Sequence, residues 1–321
     1  MKEPMNRRNA LALGGSVAGS LLAGGTLGMR AAPAIAQTNA SMGASPLWQD
    51  TTRRIEQIIG AQGSFQNGLF HIGIDRNDIT NVTLRGVPIS PSFEINGDLY
   101  FQELGGGRVT MNSDLCVKRD EIDRFIDQFL QHGIIVQAEH QHFYDFVPIV
   151  FFIHFRATGD PIAIAQGVKA ALNVTSTPFP QTLPNNPTTP LPAKELGEII
   201  GAMPNIGSDG VVTFYVPRAE AITLGGVRIS GYLNEATSIS FEPLGRGHQA
   251  AAVPDFAMTA SEIQDVFYVM RSQGWDVGCL YNQETDEYPQ LFFSHQFRVG
   301  DALDLARQIR NGLNRTNSKF I

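Results

Sequence analysis

The chain has 321 residues, of which 24 are basic and 31 acidic, giving a formal charge of −7. That balance argues against nucleic acid or anionic lipid as a partner, since both call for a basic face. The two cysteines, Cys116 and Cys279, allow one disulfide in an oxidising compartment, although two buried free thiols is the plainer expectation.

The N-terminus reads "MKEPMNRRNALALGGSVAGSLLAGGTLGMRAAPAIAQ". Adjacent Arg7 and Arg8 precede a weakly apolar stretch, and Ala34-Ile35-Ala36 suits cleavage before Gln37. Twin arginines with a glycine-diluted apolar region favour the Tat route over Sec. Six glycines between Gly14 and Gly28 speak against a spanning helix, which wants about 20 mostly apolar residues. No cysteine near the cleavage point offers a lipid attachment site. The expectation is a Tat signal peptide over 1–36, a disordered stretch over 37–47 and a periplasmic mature chain with no membrane insertion. Residues 1–36 hold four of the 24 basic and one of the 31 acidic residues, leaving 20 against 30 and a formal charge of −10.

The rest of the chain repeats itself. "FFIHFRATGD" (151–160) aligns with "FFSHQFRVGD" (292–301) at an offset of 141 residues. The same offset pairs Asp114 with Asp255, Glu121 with Glu262, Pro148 with Pro289 and His154 with His295. "IEQIIGA" (55–61) pairs likewise with "LGEIIGA" (196–202). Single-residue slips in between set Arg76 against Arg218 and "RGVPIS" (85–90) against "GGVRIS" (225–230). The domains are therefore repeat one over 48–174, a connector with six prolines over 175–192, and repeat two over 193–317.

In each copy a helix near 49–59 precedes a strand at 68–75, extended segments near 82–90 and 98–104, and a strand at 109–117. A helix follows, with Ile122, Phe125, Ile126, Phe129 and Leu130 at spacings of three and four and Gly133 as its stop. Strands at 134–143 and 149–157 form a hairpin, and a helix over 161–172 closes the unit. The fold class is α+β: two tandem homologous repeats, each an antiparallel sheet with helices packed on one face, related by a pseudo-twofold.

The stretch "EHQHFYDFVPIVFFIH" (139–154) concentrates the chemistry. Strand alternation puts Ile134, Val136, Ala138, His140 and His142 on one, largely apolar, face. His154 joins them if the hairpin loop has suitable parity. Three neutral imidazoles, with Asp145 as a fourth ligand, would suit zinc, iron, copper or manganese, provided their nitrogens lie within about 5 Å of one another. Hydrogen-bonded core histidines are the bland alternative. In copy two, His140 becomes Tyr281 and His142 becomes Gln283, so a tris-histidine site belongs to copy one. His295 with Glu284 and Glu287 could form a degenerate second site, and a histidine retained in both copies could equally be structural. Asp114 and Asp255 read as caps at the entry to the long helix, and Arg76 and Arg218 as structural ion pairs. No Gly-x-Ser-x-Gly elbow, HExxH or dinucleotide fingerprint is present.

The repeat with its run H-x-H, P, FFxH and GD resembles the LppY/LpqO family of bacterial envelope proteins, which carry a tandem domain of unknown function. His140, His142, Pro148 and His154 match the family pattern. Val147 stands where the family has an acidic residue and Ile149 where it has arginine, and the namesakes are lipoproteins. The resemblance implies the fold and an envelope location and brings no reaction with it. Three functions stay open: a binding module for a metal ion or small ligand, a metal-dependent hydrolytic enzyme with Asp145 or an acidic residue of copy two as base, and a structural subunit that assembles with an envelope protein.

Overall fold

The computed structural model describes residues 46–321 apart from Arg246, so the expected signal peptide and all but the end of the 37–47 stretch lie outside the described residues. Helix α1 (Pro46–Ile59) opens repeat one. There follow β1 (Ser64–Gln66), β2 (Leu69–Gly73), β3 (Thr83–Leu84), β4 (Val87–Pro88), α2 (Pro91–Glu94), β5 (Gly97–Gly105), β6 (Arg108–Val117) and α3 (Ile122–Gln131). The repeat ends with β7 (Ile135–His140), β8 (Phe146–Val147), β9 (Phe151–Gly159) and α4 (Pro161–Leu172). Repeat two runs α5 (Ala193–Ile200), β10 (Asn205–Ile206), β11 (Val212–Val216), β12 (Ile222–Leu224), β13 (Val227–Ile229), β14 (Thr237–Pro243) and β15 (Gln249–Met258). It closes with α6 (Ile263–Ser272), β16 (Asp276–Val277), β17 (Glu287–Tyr288), β18 (Phe292–Asp301) and α7 (Ala302–Leu313).

Local signals set the helix ends. Asp160 accepts hydrogen bonds from the Ile162 and Ala163 amides at 2.9 and 2.8 Å, and Asp301 does the same for Leu303 and Asp304 at 3.0 and 3.2 Å. Gly133 takes φ +67°, the left-handed turn that stops α3. On α3, Ile122, Phe125 and Phe129 are buried, whereas Leu130, counted on the same stripe in the sequence, faces solvent.

Each repeat forms a six-stranded antiparallel sheet, ordered β1-β2-β5-β6-β9-β7 in one and β10-β11-β14-β15-β18-β16 in the other. Three-stranded sheets β4-β3-β8 and β13-β12-β17 flank them. The expected α+β class holds for both copies. One face of each large sheet packs on its helices: Leu99, Met111 and Phe155 meet Ile55, Phe125 and Val168, and Phe214, Phe241 and Phe256 meet Leu196, Met270 and Ile309.

The other, helix-free faces meet each other. One cluster joins Leu84, Phe93 and Phe152 of repeat one to Val253 and Phe297 of repeat two. A second joins Leu224, Leu233 and Phe293 to Leu69 and Tyr100. The two clusters exchange counterpart residues, as a pseudo-twofold between the repeats requires. Each such side chain is worth about 1.5–3 kcal/mol when fully buried, so this contact has the weight of a core.

Polar pairs cross it as well. Asn112 donates to Glu235 and Glu284 at 3.2 and 2.8 Å, Ser90 donates to Glu242 from both its amide and hydroxyl, and Arg156 pairs with Asp286 at 3.1 Å. Cys116 and Cys279 are both buried and unbridged. Among the described residues no helix is long and apolar enough to cross a membrane.

Arg76 and Arg218 are buried ion-pair hubs. Arg76 donates to Asp78, Glu121 and the Cys116 carbonyl, and Arg218 to Glu220, Glu262 and the Ala257 carbonyl. Each clips the start of a long helix to the end of a strand. Truncation would strand a carboxylate whose partner has gone, so Arg76→Ala and Arg218→Ala should each cost about 3–5 kcal/mol in urea unfolding.

Candidate functional site

The site grows from one row of side chains in each sheet. In repeat one, antiparallel register sets Asp98 opposite Asp114, Asp114 opposite His154 and His154 opposite Ala138. In repeat two, Ser238 faces Asp255 and Asp255 faces His295. Directly opposed residues share a face, and here it is the helix-free one. The aspartates expected to cap helices are therefore strand residues that look into the contact between the sheets. The helix entries are instead occupied by Glu121 and Glu262, whose carboxylates accept from the Lys118 and Thr259 amides at 2.8 and 2.7 Å.

His140 reaches this face by a β-bulge. The pairing of β7 with β9 shifts between Val136 and Ala138, leaving Gln137 extra. Ile134 and Val136 accordingly pack on the helix side, whereas Ala138 and His140 turn to the other face. The single apolar face read from strict alternation is thus split in two. Repeat two makes the same shift: Val277 lies opposite Gln296 but Tyr281 opposite Phe293, with Gly278 at the position of Gln137. His142 lies beyond the strand, in a long connection that also supplies β8, so the expected tight hairpin is a wider one.

Four imidazoles and a carboxylate meet at the centre. His140 Nε2 and His154 Nε2 are 3.0 Å apart. His142 Nδ1 lies 2.9 Å from Glu94 Oε2, and His295 Nε2 lies 3.9 Å from that same oxygen. His142 is sandwiched between Phe152 and His295, with ring centroids 3.3 and 3.7 Å away, and His140 stacks on Tyr281 at 3.8 Å. Behind His295, its Nδ1 lies 3.4 Å from Asp255 and 3.3 Å from the Cys279 sulfur. Two sets of three, His140/His142/His154 and Glu94/His142/His295, each bring one ligand atom per residue within 4.8 Å of the others and could hold a metal ion. Nitrogens bound to one ion at about 2.0–2.1 Å stand about 3.3 Å apart in a tetrahedron, close to the spacing of His140 and His154.

Burial governs the charges. It pushes His140 down to about 4, and burial with the neighbouring rings holds His142, His154 and His295 well below the usual imidazole range. All four are therefore in the neutral form that binds metals. Burial also raises Asp255 to about 7, and burial followed by nearby carboxylates lifts Glu94 and Asp114 well above the usual range. The buried His140 Nδ1, His142 Nε2, His154 Nδ1 and Asp255 Oδ1 have no hydrogen-bond partner among the described residues.

Asp145 stands apart. Half-exposed, it pairs with Arg85 at 3.0 Å and belongs to neither set. The degenerate second site is also absent from its expected place. His295 turns towards Glu94 and His142, while Glu284 bonds Asn112 and Glu287 accepts from the Leu291 amide at 2.7 Å. Copy two thus joins the site of copy one. At the offset of 140 that aligns "RGVPIS" with "GGVRIS", Glu94 corresponds to Asn234. The Glu94–His142 pair of copy one is then answered by Gln283, which donates to the Asn234 carbonyl at 2.5 Å.

One protein family matches residues 53–174 and again residues 194–315, one match per repeat. The chain belongs to the family described as Domain of Unknown Function (DUF1259). It is a tandem member, and that description carries no activity. No curated protein and no solved structure matches the chain.

Glu94, Asp114, Asp255 and His295 were not grouped with His140 and His142 from the sequence. A signal existed for the aspartates: on a strand spanning 109–117, Asp114 alternates with Met111, Ser113 and Leu115 and must face away from the helices. Glu94 offered none, since it sits in a four-residue helix and reaches His142 only through the tertiary fold.

Two variants probe this arrangement. A Cβ on Gly278 would fall 2.4 Å from the Phe143 ring and 2.5 Å from the His142 carbonyl. Gly278→Ala should therefore destabilise by about 1–3 kcal/mol in urea unfolding and shift the His142 ring resonances. Glu284 is buried against Glu287, and its carboxyl is held well above the usual range by burial first. With the folded value above the unfolded one, its contribution to stability is lost as pH rises above about 4.5. Glu284→Gln should accordingly raise the thermal midpoint more at pH 8 than at pH 5.

Proposed function

We propose that this chain is an exported periplasmic protein that holds a first-row transition metal ion in the histidine cluster between its two repeats. The observation that carries the reading is the convergence of five donors, Glu94, His140, His142, His154 and His295, with His142 common to both sets of three. The donor set suits zinc, iron, copper or manganese. Leaving a buried polar group unsatisfied costs about 1–3 kcal/mol. Copy two fills the positions of His140 and His142 with Tyr281 and Gln283, so the fold does not demand imidazoles there. A bound cation would draw on His140 Nε2 and His154 Nε2, which face each other at 3.0 Å, and would neutralise Glu94. Asp255 behind His295 is the kind of carboxylate that orients a ligating imidazole. The twin-arginine start and the resemblance to LppY/LpqO envelope proteins support the compartment.

A second reading, metal-dependent hydrolysis, draws on one further feature. A cavity of about 100 Å³ adjoins the donors and is lined by Asp114, His142, His154 and His295. It has room for a water, which a metal held by the histidines would activate, and Asp114 in its lining would be the candidate base. Asp114 replaces Asp145 in the base role considered from the sequence.

Elemental analysis of exported protein, followed by zinc, manganese, iron and copper reconstitution, tests both readings. Wild type should carry about one ion per chain, His142→Ala and Glu94→Gln should lose at least 90% of it, and Asp145→Ala should keep it. Saturating metal at about 100 times Kd should stabilise the fold by about 2.7 kcal/mol, reversibly with EDTA. A wild type that takes up none of the four metals would overturn the proposal. Turnover of ester, phosphoester or amide substrates that vanishes with the metal would favour hydrolysis over binding.

A further inference from the structure

The cavity beside the donor cluster has a composition that the metal does not account for. Four carboxyl side chains line it, Glu94, Asp98, Asp114 and Asp255, and among the described residues no lysine or arginine does. A metal at the histidines would draw on Glu94, and His71 holds Asp98 at 2.5 Å. Among the described residues Asp114 forms no ion pair, and Asp255, only 8% exposed, has at Oδ1 no hydrogen bond and only the His295 imidazole 3.4 Å away. Tyr100, Tyr215, Tyr232 and Tyr281 supply walls. At about 100 Å³ the space is several times the roughly 10–15 Å³ that one water requires.

An anion is disfavoured by this lining, because it would meet four acidic side chains and, among the described residues, no lysine or arginine. A second metal ion is poorly matched too, since Asp98 and Asp114 belong to neither set of three converging donors. A compact organic cation fits both features. Its N–H groups donate to carboxylates in charge-assisted bonds, and its apolar body and positive charge lie against tyrosine faces, where a desolvated cation–π contact contributes about 2 kcal/mol.

We propose that the cavity between the two sheets binds a small organic ammonium ion, held by Asp114 and Asp98 and enclosed by Tyr100, Tyr215, Tyr232 and Tyr281. A second cavity shares Tyr215 and Tyr232 with it and runs out past Asn67, Met203 and Asn205. Those two rings line both spaces. The site goes beyond the metal reading, because neither aspartate is among the proposed metal donors.

The test is isothermal titration of methylammonium, n-propylammonium and tetramethylammonium into the full-length mature protein, metal-loaded and EDTA-treated. n-Propanol and propionate are the neutral and anionic controls. At least one ammonium ion should bind saturably while both controls fail. Asp114→Asn should weaken that binding at least tenfold, and Tyr215→Leu at least fivefold, with metal content unchanged. Should Asp114→Asn fail to fold, Asp98→Asn is read in the same way. Binding of n-propanol as tight as that of n-propylammonium, binding indifferent to the aspartate change, or no saturable binding of any of the three ions would overturn the proposal. The two readings fail separately: His142→Ala that loses metal but keeps the amine leaves this site standing, and metal uptake without amine binding leaves only the metal reading.

Discussion

Leu84, Phe93 and Phe152 at one end, and Leu224, Leu233 and Phe293 at the other, press the helix-free faces of the two sheets together. This contact removes water from the rows of polar side chains that lie between. Once Asp114, His154, Asp255 and His295 are enclosed there, their protonation is set by burial before any neighbour acts. Imidazoles are kept neutral and carboxyls are pulled towards neutrality. A cation entering such a place gains far more from each donor than it would at a surface, because the medium screens little. The apolar rim and the polar centre are therefore two parts of one arrangement.

The fold was legible in the sequence to the extent that it is local. Spacing along Ile122, Phe125 and Phe129 marks a helix, Gly133 its end, and the 141-residue offset a duplicated unit. What escaped was long-range. The bulge at Gln137 adds one residue to a strand and reverses the face of everything after it, which no count of alternating residues reveals. The partnership of Glu94 with His142 and His295 depends on which strands become neighbours and on how the second sheet is laid over the first. Histidines could be found by type. Their companions required the fold.

The copies also explain one another. Positions equivalent to Phe143 and Phe146, which are core residues in repeat one, are Glu284 and Glu287 in repeat two, beside Glu235. The same backbone therefore tolerates an aromatic core in one half and a buried carboxyl cluster in the other, provided Asn112 reaches across to donate to two of the acids. Where the halves agree, in Arg76 and Arg218, in Asp160 and Asp301, and in the strand shift before His140 and Tyr281, the residues hold the frame. The differences that matter to the site, at Glu94, His140 and His142, lie on side chains that face the other half.

That division bears on how such a centre could arise. Two identical chains paired about a true twofold must present every donor twice, so a change that improves one half-site is imposed at once on its mate. Joining the halves through residues 175–192 lifts the constraint. Glu94 can stay acidic while Asn234 does not, and His140 and His142 can persist opposite Tyr281 and Gln283. A mixed set of three histidines and a glutamate from one half with a single histidine from the other is reachable only when each half is encoded separately. Duplication without separation has here produced one lopsided centre in place of two equal ones.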